Sequence, residues 1–219
     1  MTYLKLKTDY DPKITGKRDG AFAVIKNNKS FITKEQEHIF NKFFIENYKN
    51  RKRVSYDNFE LWKYSQNFQL TYFPRTKSIK ENDFMAFGPY EHGIAFMISK
   101  RTYNIVSKFT LPIHYTIPVK IESFKQDFVL LGLPILDSKE FDFKKSIFYK
   151  NENCINYNSV QEYMSDTGPV VTKRLQLKNK VHGDVISTVE GVFFLPDIIA
   201  EFEKKGITGF SLLETVLDN

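Results

Sequence analysis

The sequence predicts an α+β protein, with a mixed, mainly antiparallel sheet or sheets and a few short capped helices. Three observations predict it. Short apolar runs alternate with polar residues at the two-residue period of a half-buried strand, and Gly, Pro, Asn and Asp close them off. Helix starts are few and chemically explicit, the clearest lying at Thr33, Ser99 and Pro196. A composition of 42% hydrophobic and 16% aromatic residues, with 21 Phe and 12 Tyr, gives this 219-residue chain enough apolar surface to offset the entropy of ordering it.

The elements follow in order. Residues 3–7 alternate as a strand, residues 10–20 are dense in turn formers, and residues 21–26 read as a second strand ended by Asn27 and Asn28. Thr33-Lys-Glu-Gln36 spells a capping box, in which the Thr33 hydroxyl and the Gln36 side chain each satisfy a backbone amide that the first helical turn leaves unpaired. Ile39, Phe40, Phe43 and Phe44 then form the buried stripe of a helix running to about Tyr48, with Glu35, Lys42 and Glu46 facing water. Residues 68–73 make a strand ended by Pro74. Residues 94–98 form an apolar strand that hands over at Ser99 to a helix with Tyr103, Ile105 and Val106 inside, stopped by Pro112. Residues 117–121 and 127–133 pair around a polar turn. A strand at 147–149, a brief helix capped by Asn158 or Ser159 and a strand at 170–177 come next. The chain closes with a strand at 192–194, a helix opened by Pro196 with Ile198, Ile199 and Phe202 inside and Gly206 as its left-handed stop, and a strand from Phe210.

One unit spans residues 1–219, and the polar, then Gly- and Pro-bearing stretch 77–89 marks the boundary of two candidate halves, 1–90 and 91–219. The order strand, cap, short helix, breaker, strand occurs at 94–121 and again at 192–213, either as a degenerate repeat or as the ordinary alternation of an α+β chain.

Composition and spacing exclude several classes of function. No apolar run approaches the roughly 20 residues of a membrane-spanning helix, and the N-terminus lacks the apolar core of a secretion signal, so a soluble protein is expected. The single Cys154 rules out an internal disulfide or a thiolate metal cluster and fits the reducing cytoplasm. His38, His92, His114 and His182 are far apart and show no zinc-ligand spacing, so neither metal nor cofactor is expected. No nucleophile elbow and no phosphate-cradling glycine loop occurs. The net charge of +6 raises the question of nucleic acid, but it comes mostly from Lys, and only six residues are Arg, the type favoured for bidentate phosphate contacts. Lys49-Asn-Arg-Lys-Arg53 and the aromatics after it nevertheless keep a nucleic-acid-binding module over residues 49–75 as an alternative. Gly206-Ile-Thr-Gly209 matches the letters of an RNA-binding loop, but a strand follows where that loop needs a helix.

Tyr3-Leu-Lys-Leu, Asp9-Tyr-Asp11 and Gly16-Lys-Arg-Asp-Gly20 open a pattern that continues through residues 97–109 and 111–121. It runs on through residues 127–131, 141–146 and 195–210, with the Gly206-Ile-Thr-Gly209 ending. Over nearly its whole length the chain resembles a bacterial family in the group of immunity proteins associated with polymorphic toxins. The resemblance implies a non-catalytic cytoplasmic protein that binds one cognate toxin domain, and it assigns no functional residue. The residues themselves point to the segment 51–75, where aromatics and Arg mix without settling into either period. Arg53, Tyr56, Trp62, Tyr72 and Arg75 are the contact candidates. A basic antidote fits poorly with a strongly basic nuclease, so a different kind of toxin is expected.

Overall fold

The computed structural model describes residues 1–26, 29–46, 54–59, 69–88 and 93–219. Its strands form two seven-stranded sheets. The first contains β2 (Ala23–Val24), β3 (Leu70–Pro74), β4 (Phe84–Met85), β5 (Phe87–Gly88), β6 (Ile94–Ser99), β7 (Tyr115–Ile121) and β8 (Asp127–Gly132), in the order β4-β6-β8-β7-β3-β2-β5. The second contains β1 (Thr2–Thr8), β9 (Ile147–Lys150), β10 (Asn153–Ile155), β11 (Val171–Gln176), β12 (Val185–Thr188), β13 (Gly191–Phe194) and β14 (Phe210–Asp218). Listed from its β12 edge, its order is β12-β13-β1-β14-β11-β9-β10. An α+β architecture with mostly antiparallel pairing is thus observed.

The chain does not divide near residue 90. Strands β6, β7 and β8 lie in the first sheet with β2, β3, β4 and β5, while β1 lies in the second with β9 to β14. In the candidate boundary stretch, Asn82, Asp83, Phe84, Met85 and Ala86 are all buried. Within it, the Asn82 and Asp83 side chains are buried and hydrogen-bonded.

The two sheets share one topology. From the β4 and β12 edges inward, the first three neighbours pair antiparallel, the fourth pair is parallel (β7 with β3, β14 with β11) and the fifth is antiparallel. Only the outermost pairs differ, β2 with β5 being parallel and β9 with β10 antiparallel. In each unit a helix joins two parallel strands that flank an inserted antiparallel one. Helix α3 (Lys100–Val106) links β6 to β7 around β8, and α5 (Pro196–Lys204) links β13 to β14 around β1. Helices α2 (Lys34–Phe40) and α4 (Val160–Ser165) occupy matching places before β3 and β11. The twice-occurring sequence order is therefore a structural repeat, and the second unit is completed by the N-terminal strand. Chain ends meet as a result, with Asn219 N–H donating to the Met1 carbonyl at 2.9 Å.

Reciprocal bonds join the units. Asp83 immediately precedes β4 and accepts the Thr208 N–H on Oδ2 at 2.9 Å, while Asp184 immediately precedes β12 and accepts the Thr110 N–H on Oδ2 at 2.7 Å. Thr208 follows α5 and Thr110 follows α3, so each unit's aspartate holds the other unit's helix-to-strand loop. Each aspartate carbonyl also accepts the N–H of its own unit's helix N-cap, Ser99 at 2.8 Å and Leu195 at 3.0 Å. Between the sheets lies a shared core that includes Leu6, Phe96, Ile98, Leu131, Phe194, Ile198 and Phe202, with the Phe96 and Phe194 rings 6.0 Å apart. A second core, around Phe22, Phe40, Phe44 and Ile117, packs on the first sheet's other face. A third, around Tyr3, Phe148, Leu175 and Phe193, packs on that of the second.

The caps behave chemically as their letters predict, with one exception. Thr33, Ser99 and Ser159 each accept the backbone N–H three residues on. The Gln36 half of the capping box is not made, because its buried Oε1 has no hydrogen-bond partner among the described residues. The helix it opens ends at Phe40 and continues as a π-helical turn, Asn41–Glu46; the expected end at Tyr48 lies outside the described residues. After α5, Gly206 takes φ +60°, and the Gly206 and Ile207 amides donate back to Glu203 and Phe202, which satisfies two end carbonyls in a Schellman arrangement.

Candidate functional site

The first sheet carries a groove of about 480 Å³ on the face that bears α3. Its origin is a step in strand register. Strand β3 begins at Leu70 opposite Val119, so among the described residues the first half of β7 has no neighbour on that side. The alternation of β7 buries Tyr115, Ile117, Val119 and Ile121 and turns Thr116, Pro118 and Lys120 into the groove. Pro118 lacks an N–H to donate and is tolerated in a strand where the ladder on one side has not begun. Val129 of β8 contributes to the floor, and Lys100, Tyr103 and Asn104 of α3 form one wall.

Tyr103 is held in place. Its hydroxyl lies 3.1 Å from His114 Nε2, and His114 Nδ1 lies 3.0 Å from the Pro112 carbonyl. That carbonyl can only accept, so Nδ1 carries the proton and, in the neutral ring, Nε2 accepts from Tyr103. A tyrosine fixed in this way presents aromatic surface at low entropic cost. Lys100 and Lys120 are exposed on either side, and neither makes an ion pair among the described residues. Asp127 is the strand partner of Lys120 but lies outside ion-pair distance.

The sequence-predicted contacts fare unevenly. Tyr72 is fully buried in the core on the first sheet and cannot serve as a contact, because β3 is an interior strand and packs Tyr72 with Leu70 and Phe22. Phe59 is buried too, stacked on Tyr115 at 5.3 Å. Tyr56 is 40% exposed, in the turn after Val54, and Arg75 is exposed at the end of β3. Arg53 and Trp62 lie outside the described residues, as does the basic cluster 49–53. The groove residues escaped sequence reading, although the Thr-Pro-Lys face of β7 was its one visible signal.

Comparison with models of known protein families and with curated proteins finds no match.

Elsewhere, titratable groups serve the fold. Burial works against the charge on Asp83, but hydrogen bonds from Arg101, Ser99 and Thr208 outweigh it and hold the carboxyl below its usual range. Arg101 grips it with Nε at 2.6 Å and a terminal nitrogen at 2.5 Å, while the Ser99 hydroxyl donates at 2.6 Å. In the second unit Asp166 accepts from Lys150 and, at 2.6 Å, from the Tyr157 hydroxyl. A second cleft of about 560 Å³ lies among the loops by Lys139, Lys144 and Lys178, but Lys178 Nζ is spent on the Lys139 carbonyl at 2.7 Å. No group of three or more potential metal ligands occurs among the described residues, and no helix there is long and apolar enough to cross a membrane.

Tyr163 gives a pH-dependent test of the second unit's packing. Burial and the neighbouring Glu190 carboxylate, which accepts its hydroxyl at 2.9 Å, push Tyr163 up to about 12. The folded value lies above the ordinary 10.0, so this group stabilises the fold fully below pH 10 and stops doing so as the pH rises through about 12. In an alkaline absorbance titration, Tyr163→Phe is expected to remove one tyrosine's amplitude from the phase near pH 12. Loss from the phase near pH 10 instead would refute the packing described.

Proposed function

We propose that this chain is a non-catalytic antidote that neutralises a bacterial toxin in the cytoplasm by binding it as a protein partner. The observation that carries the reading is the groove on the first sheet. It is set on paired strands, walled by a tyrosine locked through His114, and flanked by lysines that make no ion pair among the described residues. Rigid aromatic surface beside an unneutralised charged rim is what protein interfaces select. The latched double unit supports the same reading, because a scaffold fixed before binding loses little entropy when it docks. The resemblance to immunity proteins of polymorphic toxin systems supplies the partner's class. A target other than a strongly basic nuclease remains the expectation from the net charge of +6.

Co-expression tests it. Cells producing the toxin domain encoded beside this gene are expected to survive when this chain is present and to die when it is absent. Death in both cases would overturn the proposal.

A further inference from the structure

We propose that the groove on the first sheet receives an apolar side chain flanked by carboxylates, presented by the partner protein. The inference rests on the antidote reading for the partner's identity but not for the chemistry.

The groove has an apolar floor and a cationic rim. Pro118 and the edge of Val129 line the floor, the Tyr103 ring closes one side, and Ile32, 66% exposed, stands at the other. A large apolar side chain occupies part of such a space and leaves room for the residues that flank it. The rim carries Lys100 on the first turn of α3 and Lys120 on β7, against one carboxylate, Asp127. A cation at a helix's N-terminal turn is placed against the helix dipole, so the fold gains nothing from Lys100 there. An incoming carboxylate would meet the Lys100 amine on one side of the groove and the Lys120 amine on the other.

The other unit supplies an internal comparison. Its equivalent parallel pair, β11 with β14, is bridged by Lys173 to Glu214 and by Arg174 to Asp218 at 3.3 Å. Cations on that strand pair are neutralised within the chain. On the matching pair of the first unit, Lys120 stands opposite Thr71, and no ion pair bridges β3 and β7 among the described residues. Among the described residues, the same strand pair is thus bridged by ion pairs in one unit and carries an unpaired Lys120 in the other. A phosphate backbone fits the open groove less well than a peptide does, because it offers nothing to the apolar floor.

Two blocked hexapeptides test this on the isotopically labelled full chain, each with a Leu-Trp centre, one flanked by Asp and Glu and the other by Lys. The acidic peptide is expected to shift the amides of residues 100–104, 116–120 and 127–129. The Lys-flanked peptide is expected to leave them in place. In the double variant Lys100→Glu with Lys120→Glu, whose positions are exposed and whose melting temperature serves as the folding control, the acidic peptide is expected to bind about tenfold or more weakly. Equal binding of both peptides, shifts elsewhere, or stronger binding of a single-stranded DNA decamer at the same amides would overturn the proposal. The two readings fail separately. If the native chain rescues cells from the toxin and the double variant rescues them equally, the groove is wrong and the antidote stands. If the acidic peptide binds as described but the native chain does not rescue, the antidote reading is wrong and the groove's chemistry stands.

Discussion

Asp83→Ala is expected to lower the stability of the fold by about 3 kcal/mol, roughly 10 °C in melting temperature for a chain of this size. The side chain is fully buried and accepts from Arg101, Ser99 and Thr208. Its removal leaves the Ser99 hydroxyl and the Thr208 amide without their acceptor at the junction of the two units, and unmet buried donors cost far more than the net worth of an ordinary hydrogen bond. Arg101→Ala should cost less, about 1 kcal/mol, because that side chain is 52% exposed and Asp83 keeps its other donors. The pH dependence follows from the depressed carboxyl. A folded value below the unfolded one means that the contribution is complete above the ordinary carboxylate range and is lost as the pH falls through the folded value. The native chain should therefore be more acid-sensitive than Asp83→Ala relative to each protein's own stability at pH 7. Chemical denaturation at pH 7 and pH 3 measures both effects. Equal midpoints for Asp83→Ala and the native chain at pH 7 would contradict the latch.

Gly209→Ala is expected to cost as much, about 3 kcal/mol, for a different reason. Gly209 sits at φ +82°, and a Cβ there would stand 2.5 Å from the Phe84 carbonyl oxygen and 2.7 Å from Asn82 Cβ. A left-handed alanine costs roughly 1 kcal/mol, and displacing backbone across the unit junction costs more. The displaced segment is the one Asp83 holds, since Phe84 N–H donates to the Thr208 carbonyl at 3.1 Å. Both substitutions strike one junction, so the double variant should lose less than the sum of the two. Additive losses would show that Gly209 and Asp83 act independently.

These residues also show what the sequence makes legible. Gly206-Ile-Thr-Gly209 matches an RNA-binding loop in letters only, and each letter has a structural duty. Gly206 ends α5, Ile207 is buried, Thr208 binds Asp83, and Gly209 allows the close approach to β4. Much short-range chemistry was readable: the Thr33, Ser99 and Ser159 caps and the Pro196 start take the predicted forms, the Gln36 half of the capping box being the exception. Long-range duties were not. Asp83 read as part of a polar candidate boundary because its partners lie 16 to 125 residues away. Tyr72 read as an unclaimed aromatic because nothing local says that β7 and β2 flank its strand. The repeat was visible as an order of elements but not as letters, since Ser99 caps one crossover helix where Leu195 precedes the other. The groove depends on β3 starting opposite Val119, a register that only the assembled sheet sets.

The proposed binding to a toxin domain is tested most directly by titration calorimetry of the purified chain against a toxin domain encoded beside its gene. The account predicts a one-to-one complex with a dissociation constant of about 10 nM or tighter, in the range of specific protein pairs. It also predicts that the affinity drops at least tenfold when Lys100 and Lys120 are both reversed to Glu. No heat of binding at micromolar concentrations, with both proteins folded, would contradict it.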